Sequence, residues 1–425
     1  MKIMVIGGGG REHAIIKKLK QSSKVKEIYA LPGNGGIAQD AQCINIDAKN
    51  ISAIVDFAKS SSIDFAVVAP DDPLVLGAVD ELEKVGIPCF GPNKKAAIIE
   101  GSKVFSKNLM KKYCIPTAEY EVFTDMNEAL RYLETAPIPT VVKADGLALG
   151  KGVIIAMTRN EAIDAVRSMM EDKVFGESGS QVVIEEYLEG PEVSVLSFTD
   201  GKTIVPMVSS MDHKRAHDND EGLNTGGMGT IAPNPYYTNE IANECMHKIF
   251  IPTINAMNAE NRSFKGCLYF GLMLTNNGPK VIEYNCRFGD PETQVVLPLL
   301  ESDLVDIMLA TQNGTLSETE VKFSNGAACC VIMASNGYPE KYEKGFEITV
   351  SSPEPANTEI YVAGARLEGD MLLTNGGRVL GVTAKAENLE SAIDKAYSAV
   401  KLVHFKNAFY RNDIGRKALK AYKEV

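Results

Sequence analysis

The densest chemistry in the chain lies at 281–294, VIEYNCRFGDPETQ, where an apolar strand pattern ends in a carboxylate, an amide, a guanidinium and two more carboxylates. Glu283 and Asn285 are two apart, so on a strand both side chains point to one face. Val281 is expected on that same face, with Ile282 and Tyr284 on the other. Hard divalent cations take oxygen ligands, and Mg²⁺ accepts one or two protein oxygens when phosphates and water complete its shell. Arg287 continues along the same side and suits clamping a carboxylate or stabilising a transferring phosphoryl group. Asp290 and Glu292 flank Pro291 in a turn that could hold a second ligand or a substrate amine. A surface charge cluster at a strand end is the bland alternative, and ion pairs there contribute little.

Two glycine loops could meet phosphates. GGGGREHA at 7–14 follows a strand and opens a helix, but the third glycine of a dinucleotide fingerprint would fall on Glu12. The acidic residue expected at the end of the second strand is missing too, so nicotinamide binding is not expected. Gly9 and Gly10 would still let backbone N–H groups approach an anion, with Arg11 and His13 beside them. A tight strand-to-helix turn explains the same residues. The second loop, TVVKADGLALGKGVII at 140–155, has Lys143 at its root and Gly146, Gly150, Lys151 and Gly152 within it. A hairpin of this kind could fold over a polyphosphate, and it is not a Walker loop. Lys103, early on an amphipathic helix expected over 101–115, is a third possible phosphate cation. The strand VVIEEYLEGPEVS at 182–194 turns polar at Glu185 and Glu186 and leaves through Leu188, which suits a purine edge, with Glu192 near ribose hydroxyls. A solvated strand end is the alternative there. DHKR at 212–215 and NTGGMG at 224–229 cluster Asp212, His213, Lys214 and Arg215 near Asn224, Gly226 and Gly227, as an anion or amine site would.

These residues need several elements to position them. At 425 residues the chain is too long for one core. Residues 1–100 alternate short apolar runs with helical patterns, implying a parallel sheet wrapped by helices. A strand–helix rhythm fills 121–192, longer strands and a helix over 238–260 follow, and a distinct segment begins near 326. The net charge of −11 argues against nucleic acid or an anionic membrane as partner. Eight cysteines without a CxxC pair read as reduced, mostly buried thiols. No apolar run reaches membrane-spanning length and MKIMVIGGGG is too short for a signal peptide, so a cytoplasmic protein is expected.

Taken together, the motifs resemble the ATP-grasp superfamily of carboxylate–amine ligases, and within it the glycinamide ribonucleotide synthetases. The resemblance runs the whole chain, through GGGGREHA, PGN at 32–34, EGSK at 100–103, VKADGLALGKGV, IEEYLEG, MDHKRAHDND, NTGGMG, IEYNCRFGDPETQ and TNGGRVLGVT at 374–383. It implies an α/β fold: an N-terminal Rossmann-like parallel sheet, ATP-grasp α+β central domains and a small mixed C-terminal domain. The expected boundaries are 1–102 for binding phosphoribosylamine, 103–325 for ATP-grasp (with 121–192 as the small ATP-clamping subdomain) and 326–425. The implied reaction joins glycine to 5-phosphoribosylamine with ATP through an acyl phosphate, behind a closing lid at 140–155. Another ATP-grasp ligase of purine metabolism is the alternative, and a nucleotide-binding regulator without turnover a more distant one. By similarity Glu283 and Asn285 ligate Mg²⁺ or Mn²⁺. Lys103, Lys143, Gly146, Gly150, Lys151 and Gly152 hold phosphates, and Glu185, Glu186, Leu188 and Glu192 surround adenosine. Arg287, Lys143, Asp212 and His213 are the candidate catalytic groups. Gly9, Gly10, Arg11, Asn34, Asp71, Lys214, Arg215, Asn224, Gly226, Gly227 and Asp290 are the candidate substrate contacts. A monomer or weak dimer is expected. The chain departs from the family pattern at Asp71, where Glu is usual, and at Val362 and Ala365 in place of H-A-G-T. The strand at 269–274, YFGLML, also lacks the acidic metal ligand that many relatives carry, leaving two ligands.

Overall fold

The first strand, Lys2–Gly7, sends Met4 and Ile6 into one apolar core and Ile3 and Val5 into another. A strand buried on both faces belongs inside a parallel sheet covered by helices. The computed structural model, which describes residues 1–147, 152–172, 176–351 and 355–424, places it there. Five parallel strands run in the order Gln42–Cys43, Glu27–Pro32, Lys2–Gly7, Phe65–Val68, Cys89–Phe90.

A second sheet, antiparallel, orders Ile204–Pro206, Glu192–Thr199, Gly266–Thr275 and Gly278–Asn285. Its alternation feeds the same two cores: Val193, Val195, Leu268 and Phe270 enter the first, Leu196, Phe198, Cys267 and Tyr269 the second. Separating the two sheets would expose Phe198 and Phe270, each about 1.5–3 kcal/mol of burial, so they form a single scaffold. A third core lies within the small subdomain, where the sheet Tyr120–Phe123, Val182–Glu186, Thr140–Ala144, Val153–Ala156 carries helices Met126–Leu133 and Arg159–Met170 on one side.

The C-terminal sheet draws on the middle of the chain. Met211–Asp212 and Gly229–Ala232 pair onto Ala327–Ser335, which continues to Arg378–Ala386 and Thr358–Val362. The boundary expected at 326 therefore divides a hydrogen-bonded sheet. Helix Leu389–Val400 covers one face with Ala392, Ile393 and Ala396.

The helix expected over 101–115 runs Lys103–Lys112 and is preceded directly by a separate helix, Lys94–Gly101. Ser102 interrupts them with extended backbone (φ −142°), and its hydroxyl oxygen accepts the N–H of Phe105 at 3.0 Å as an N-cap. That break puts Lys103 in a first turn facing the small subdomain. Six of the eight cysteines are buried and all are free. Among the described residues no helix is long and apolar enough to cross a membrane.

Candidate active site

The strand Gly278–Asn285 carries a bulge that sequence periodicity does not show. Glu283 pairs with Gly271 but Val281 pairs with Leu272, so Ile282 is the extra residue. The bulge resets the side-chain phase. Val281 joins Tyr284 and Cys286 in the apolar core, while Glu283 and Asn285 face the cleft. This corrects the expectation that Val281 shares the face of Glu283. The bulge also aims the Ile282 carbonyl at Lys143, whose ammonium donates to it at 3.1 Å.

Four cations surround the Glu283 carboxylate. Burial raises its pKa, but Lys214, Lys143, Lys103 and Arg287 together outweigh burial and hold it below the usual carboxylate range. Lys103 donates to the Gly146 carbonyl at 2.7 Å, and burial lowers its own pKa against the pull of Glu283. Arg287 donates to Asn285 Oδ1 at 3.0 Å and pairs with Glu100 at 2.9 Å, while its Nε is buried without a partner among the described residues. Glu100 also accepts the N–H of Cys286 at 2.7 Å, so it holds the end of the strand that carries Glu283 and Asn285. A carboxylate and an amide oxygen beside several cations fit a hard divalent ion whose shell phosphates complete. No group of three or more His, Cys, Asp or Glu among the described residues could hold a metal unaided.

The second wall is the strand Val182–Glu186 and its continuation. Glu185 is buried and pairs with Lys143 at 3.0 Å and Lys107 at 3.4 Å. Glu186 accepts from Lys280 at 3.1 Å at the surface, Leu188 is buried, and Glu192 binds Lys214 at 2.7 Å. Asp145 accepts the N–H of Val104 at 3.1 Å and the Ser102 hydroxyl at 3.3 Å, docking the loop start on the helix of Lys103. Gly146 and Gly152 lie at the loop's described ends, whereas Gly150 and Lys151 lie outside the described residues, as does the tip of the expected lid.

The DHKR segment divides its roles. Asp212 reaches the cleft, and Gly227 (φ +110°) lets the chain pass so near it that a Cβ would fall 2.6 Å from its Oδ1. Burial, with the Glu292 carboxylate, holds Asp212 well above the usual carboxylate range, although Lys214 and Arg378 pull it down. Glu292 is buried, bonded to the Tyr269 hydroxyl at 3.1 Å. His213 differs from the expectation of a catalytic imidazole. Its Nδ1–H donates to the Gly229 carbonyl and its Nε2 accepts the N–H of Gly415, both at 3.1 Å, so the backbone uses both nitrogens. Burial, then Arg411, pushes its pKa down to about 4. Arg215 likewise turns away from the cleft: it pairs with Asn224 in a hairpin, and its guanidinium donates to Gly222 at 2.9 Å.

The N-terminal glycine loop meets the same cleft, with its amides facing the chain's own carboxylates. Gly9 N–H donates to Glu12 at 2.6 Å, and Arg11 N–H donates to Asp290 at 3.4 Å. Glu12, at the position that broke the dinucleotide fingerprint, thus caps the helix Gly10–Leu19. Asp71 and Asp290 are buried enough to be raised, yet both are held low, Asp71 by Arg287 and Arg11, Asp290 by Arg378 and Arg11. Asn34 is engaged throughout by backbone: its amide donates to Gly8 and Val362 at 2.9 and 2.8 Å, and its oxygen accepts from Gly36 and Ile37. It fastens the glycine loop to the C-terminal region rather than opening toward a ligand. Arg378 donates to the carbonyls of Gly226 at 2.6 Å and Asp290 at 2.9 Å, joining NTGGMG to GDPE.

Glu100, Lys107 and Arg378 escaped the sequence reading as site residues. Signals existed: Glu100 and Arg378 lie inside two of the quoted motifs, and Lys107 falls one helical turn after Lys103.

A clamping subdomain on an antiparallel sheet, with lysines and a carboxylate–amide pair meeting in the cleft between them, defines an ATP-grasp ligase. Family profiles described as the N, ATP-grasp (A) and C domains of phosphoribosylglycinamide synthetase match residues 1–100, 101–293 and 328–417. The chain belongs to the phosphoribosylglycinamide synthetase family. The phosphoribosylamine–glycine ligase of Caldanaerobacter subterraneus is 47% identical over 97% of this chain and 99% of its own. That of Haemophilus influenzae is 47% identical over 99% of both. The solved phosphoribosylamine–glycine ligase of Thermotoga maritima superposes with a TM-score of 0.85 at 34% identity, over 97% of this chain and 100% of that one. A biotin carboxylase domain from Hydrogenobacter thermophilus, solved with MgADP and bicarbonate, shares the fold at TM-score 0.73 and 18% identity, over 96% and 91%.

Proposed function

We infer that this chain joins glycine to 5-phosphoribosylamine, giving glycinamide ribonucleotide, ADP and phosphate, the second step of purine biosynthesis. The observation that carries this reading is the convergence of Lys103, Lys143, Lys214 and Arg287 on the one carboxylate of the Glu283–Asn285 pair. Side-chain cations gathered beside a carboxylate–amide pair suit a metal-bound triphosphate. Mg²⁺ or Mn²⁺ held by Glu283 and Asn285 would neutralise phosphate charge.

The glycine carboxylate oxygen attacks the γ-phosphorus, the bond to the β-phosphate oxygen breaks, and ADP leaves glycyl phosphate. Lys143 and Arg287 hold the transferring group by charge and position, which is most of what phosphoryl transfer needs. The amine of phosphoribosylamine then attacks the acyl carbon, the C–O bond to phosphate breaks, and the amine proton passes to Asp212. A carboxylate with a raised pKa is the better base for that transfer. Lys103, Gly146 and Gly152 line the phosphates, with Gly150 and Lys151 completing the loop; Glu185, Glu186, Leu188 and Glu192 take adenosine. Arg11, Asp71 and Asp290, with Arg378, take the phosphoribosyl group: carboxylates suit its hydroxyls and guanidinium groups its phosphate. The enzyme works as a monomer or weak dimer in the cytoplasm.

A phosphate-release assay tests this. Release is expected when ATP, glycine and phosphoribosylamine are all present, with EDTA abolishing it and Mg²⁺ or Mn²⁺ restoring it. Equal release with alanine in place of glycine would refute the substrate assignment.

A further inference from the structure

We propose that Lys107, which cannot itself reach a nucleotide, is a positioning residue that fixes Glu185 for recognition of a 6-aminopurine base and links that recognition to the metal strand. The proposal rests on the reading of Glu185–Leu188 as the wall against adenosine.

Lys107 is 2% exposed, and all three of its N–H bonds are committed inside the protein. It donates to the Thr117 hydroxyl at 2.8 Å and the Ala118 carbonyl at 2.9 Å, and its third proton faces Glu185 Oε2 at 3.4 Å. The Tyr120 ring lies beneath the ammonium, 4.9 Å to its centroid. On the other side of the carboxylate, Lys143 contacts the same oxygen, Oε2, at 3.0 Å. Two ammonium groups thus hold one oxygen, while Oε1 is buried with no hydrogen-bond partner among the described residues. A buried carboxylate oxygen without a donor is costly to leave unsatisfied, so the site calls for an N–H from outside the protein. An exocyclic amine on the purine supplies one. A 6-oxo group in its place would set an acceptor against an acceptor.

The same lysine connects two walls. Thr117, which accepts from Lys107, donates to the Val281 carbonyl at 2.8 Å, just before the bulge that aims Glu283. Lys143 closes the circuit from Glu185 to the Ile282 carbonyl. Base wall and metal strand are therefore held in one register through Lys107 and Lys143. Burial lowers the Lys107 pKa to about 8, with Glu185 opposing the shift, consistent with an ammonium kept charged chiefly by that carboxylate.

The test compares wild type, Lys107→Met, Lys107→Arg and Thr117→Val for kcat and KM with ATP and with GTP. Lys107→Met is expected to raise the ATP KM about tenfold, to lower the ATP:GTP ratio of kcat/KM by a similar factor, and to lower kcat at saturating ATP by less than that, through the lost tie to Thr117, with the glycine KM nearly unchanged. Lys107→Arg should keep more of the ATP preference than Lys107→Met, because it keeps the charge. Should Lys107→Met not fold, Thr117→Val is to lower the ratio in the same direction. An unchanged ratio in folded Lys107→Met, or in Thr117→Val where the first does not fold, overturns the role of Lys107. Wild type that uses GTP as well as ATP overturns the adenosine reading instead.

Discussion

Glu283 stands among Lys103, Lys143, Lys214 and Arg287, so a neutral side chain there would leave cations facing one another across the space proposed for the phosphates. The four are already tied elsewhere, to Gly146, Glu185, Glu192 and Glu100. Glu283→Ala is therefore expected to remove the metal and phosphoryl-transfer geometry without unfolding the scaffold. Its kcat should fall by about a thousandfold or more, with circular dichroism unchanged. Turnover near the wild-type rate would end the metal-ligand assignment.

At the scale of the element, the bulge at Ile282 and the small residue opposite it work together. Gly271 pairs with Glu283, and a Cβ there would come 3.1 Å from the Glu283 Cγ. The methyl would shift the carboxylate by a few tenths of an ångström while leaving the strand pairing intact, and sites of this kind tolerate little displacement. Gly271→Ala should therefore raise the Mg²⁺ concentration needed for half-maximal activity about tenfold and change unfolding free energy by less than about 1 kcal/mol. Titration of activity with Mg²⁺, alongside urea denaturation, reads both; an unaltered Mg²⁺ requirement would show that the carboxylate adapts freely.

Across the whole molecule, two buried imidazoles attach the C-terminal region. His213 accepts the N–H of Gly415, and His13 accepts the N–H of Val362 at 2.8 Å while its Nε2–H donates to Asp40 at 3.0 Å. Both must be neutral to accept, and burial lowers both pKa values. A depressed histidine pKa means the unfolded chain binds more protons than the folded one between about 6.5 and about 4. Stability should thus fall as pH drops through that window, by on the order of 3 kcal/mol from His213 alone. His13 contributes less, since Asp40 would pair with its charged form. Tm measured from pH 7 to pH 4 should decline less steeply in His213→Gln than in wild type, and parallel slopes would contradict the assignment.

Much of this was legible in the residues alone. The unbroken apolar run in KIMVIG and the strand–helix rhythm after it specify a parallel sheet, because a buried strand must offer apolar groups to both faces. The oxygen donors at 283 and 285, the lysines at 103 and 143 and the break of the dinucleotide fingerprint at Glu12 were readable as chemistry, because residue type and close spacing are local properties. What the linear pattern could not carry was anything set by a partner far along the chain. The phase of Val281 depends on a bulge against Leu272, and Asn34 and His213 are drawn into backbone bonds by Val362 and Gly415. Lys107, on a helix face that looks merely amphipathic, acquires a role once Glu185 is folded against it. The sequence determined which groups were available and which strands and helices would carry them; tertiary contact decided which of those groups face the cleft and which hold the walls, since a side chain's role depends on the donors, acceptors and charges that folding brings beside it.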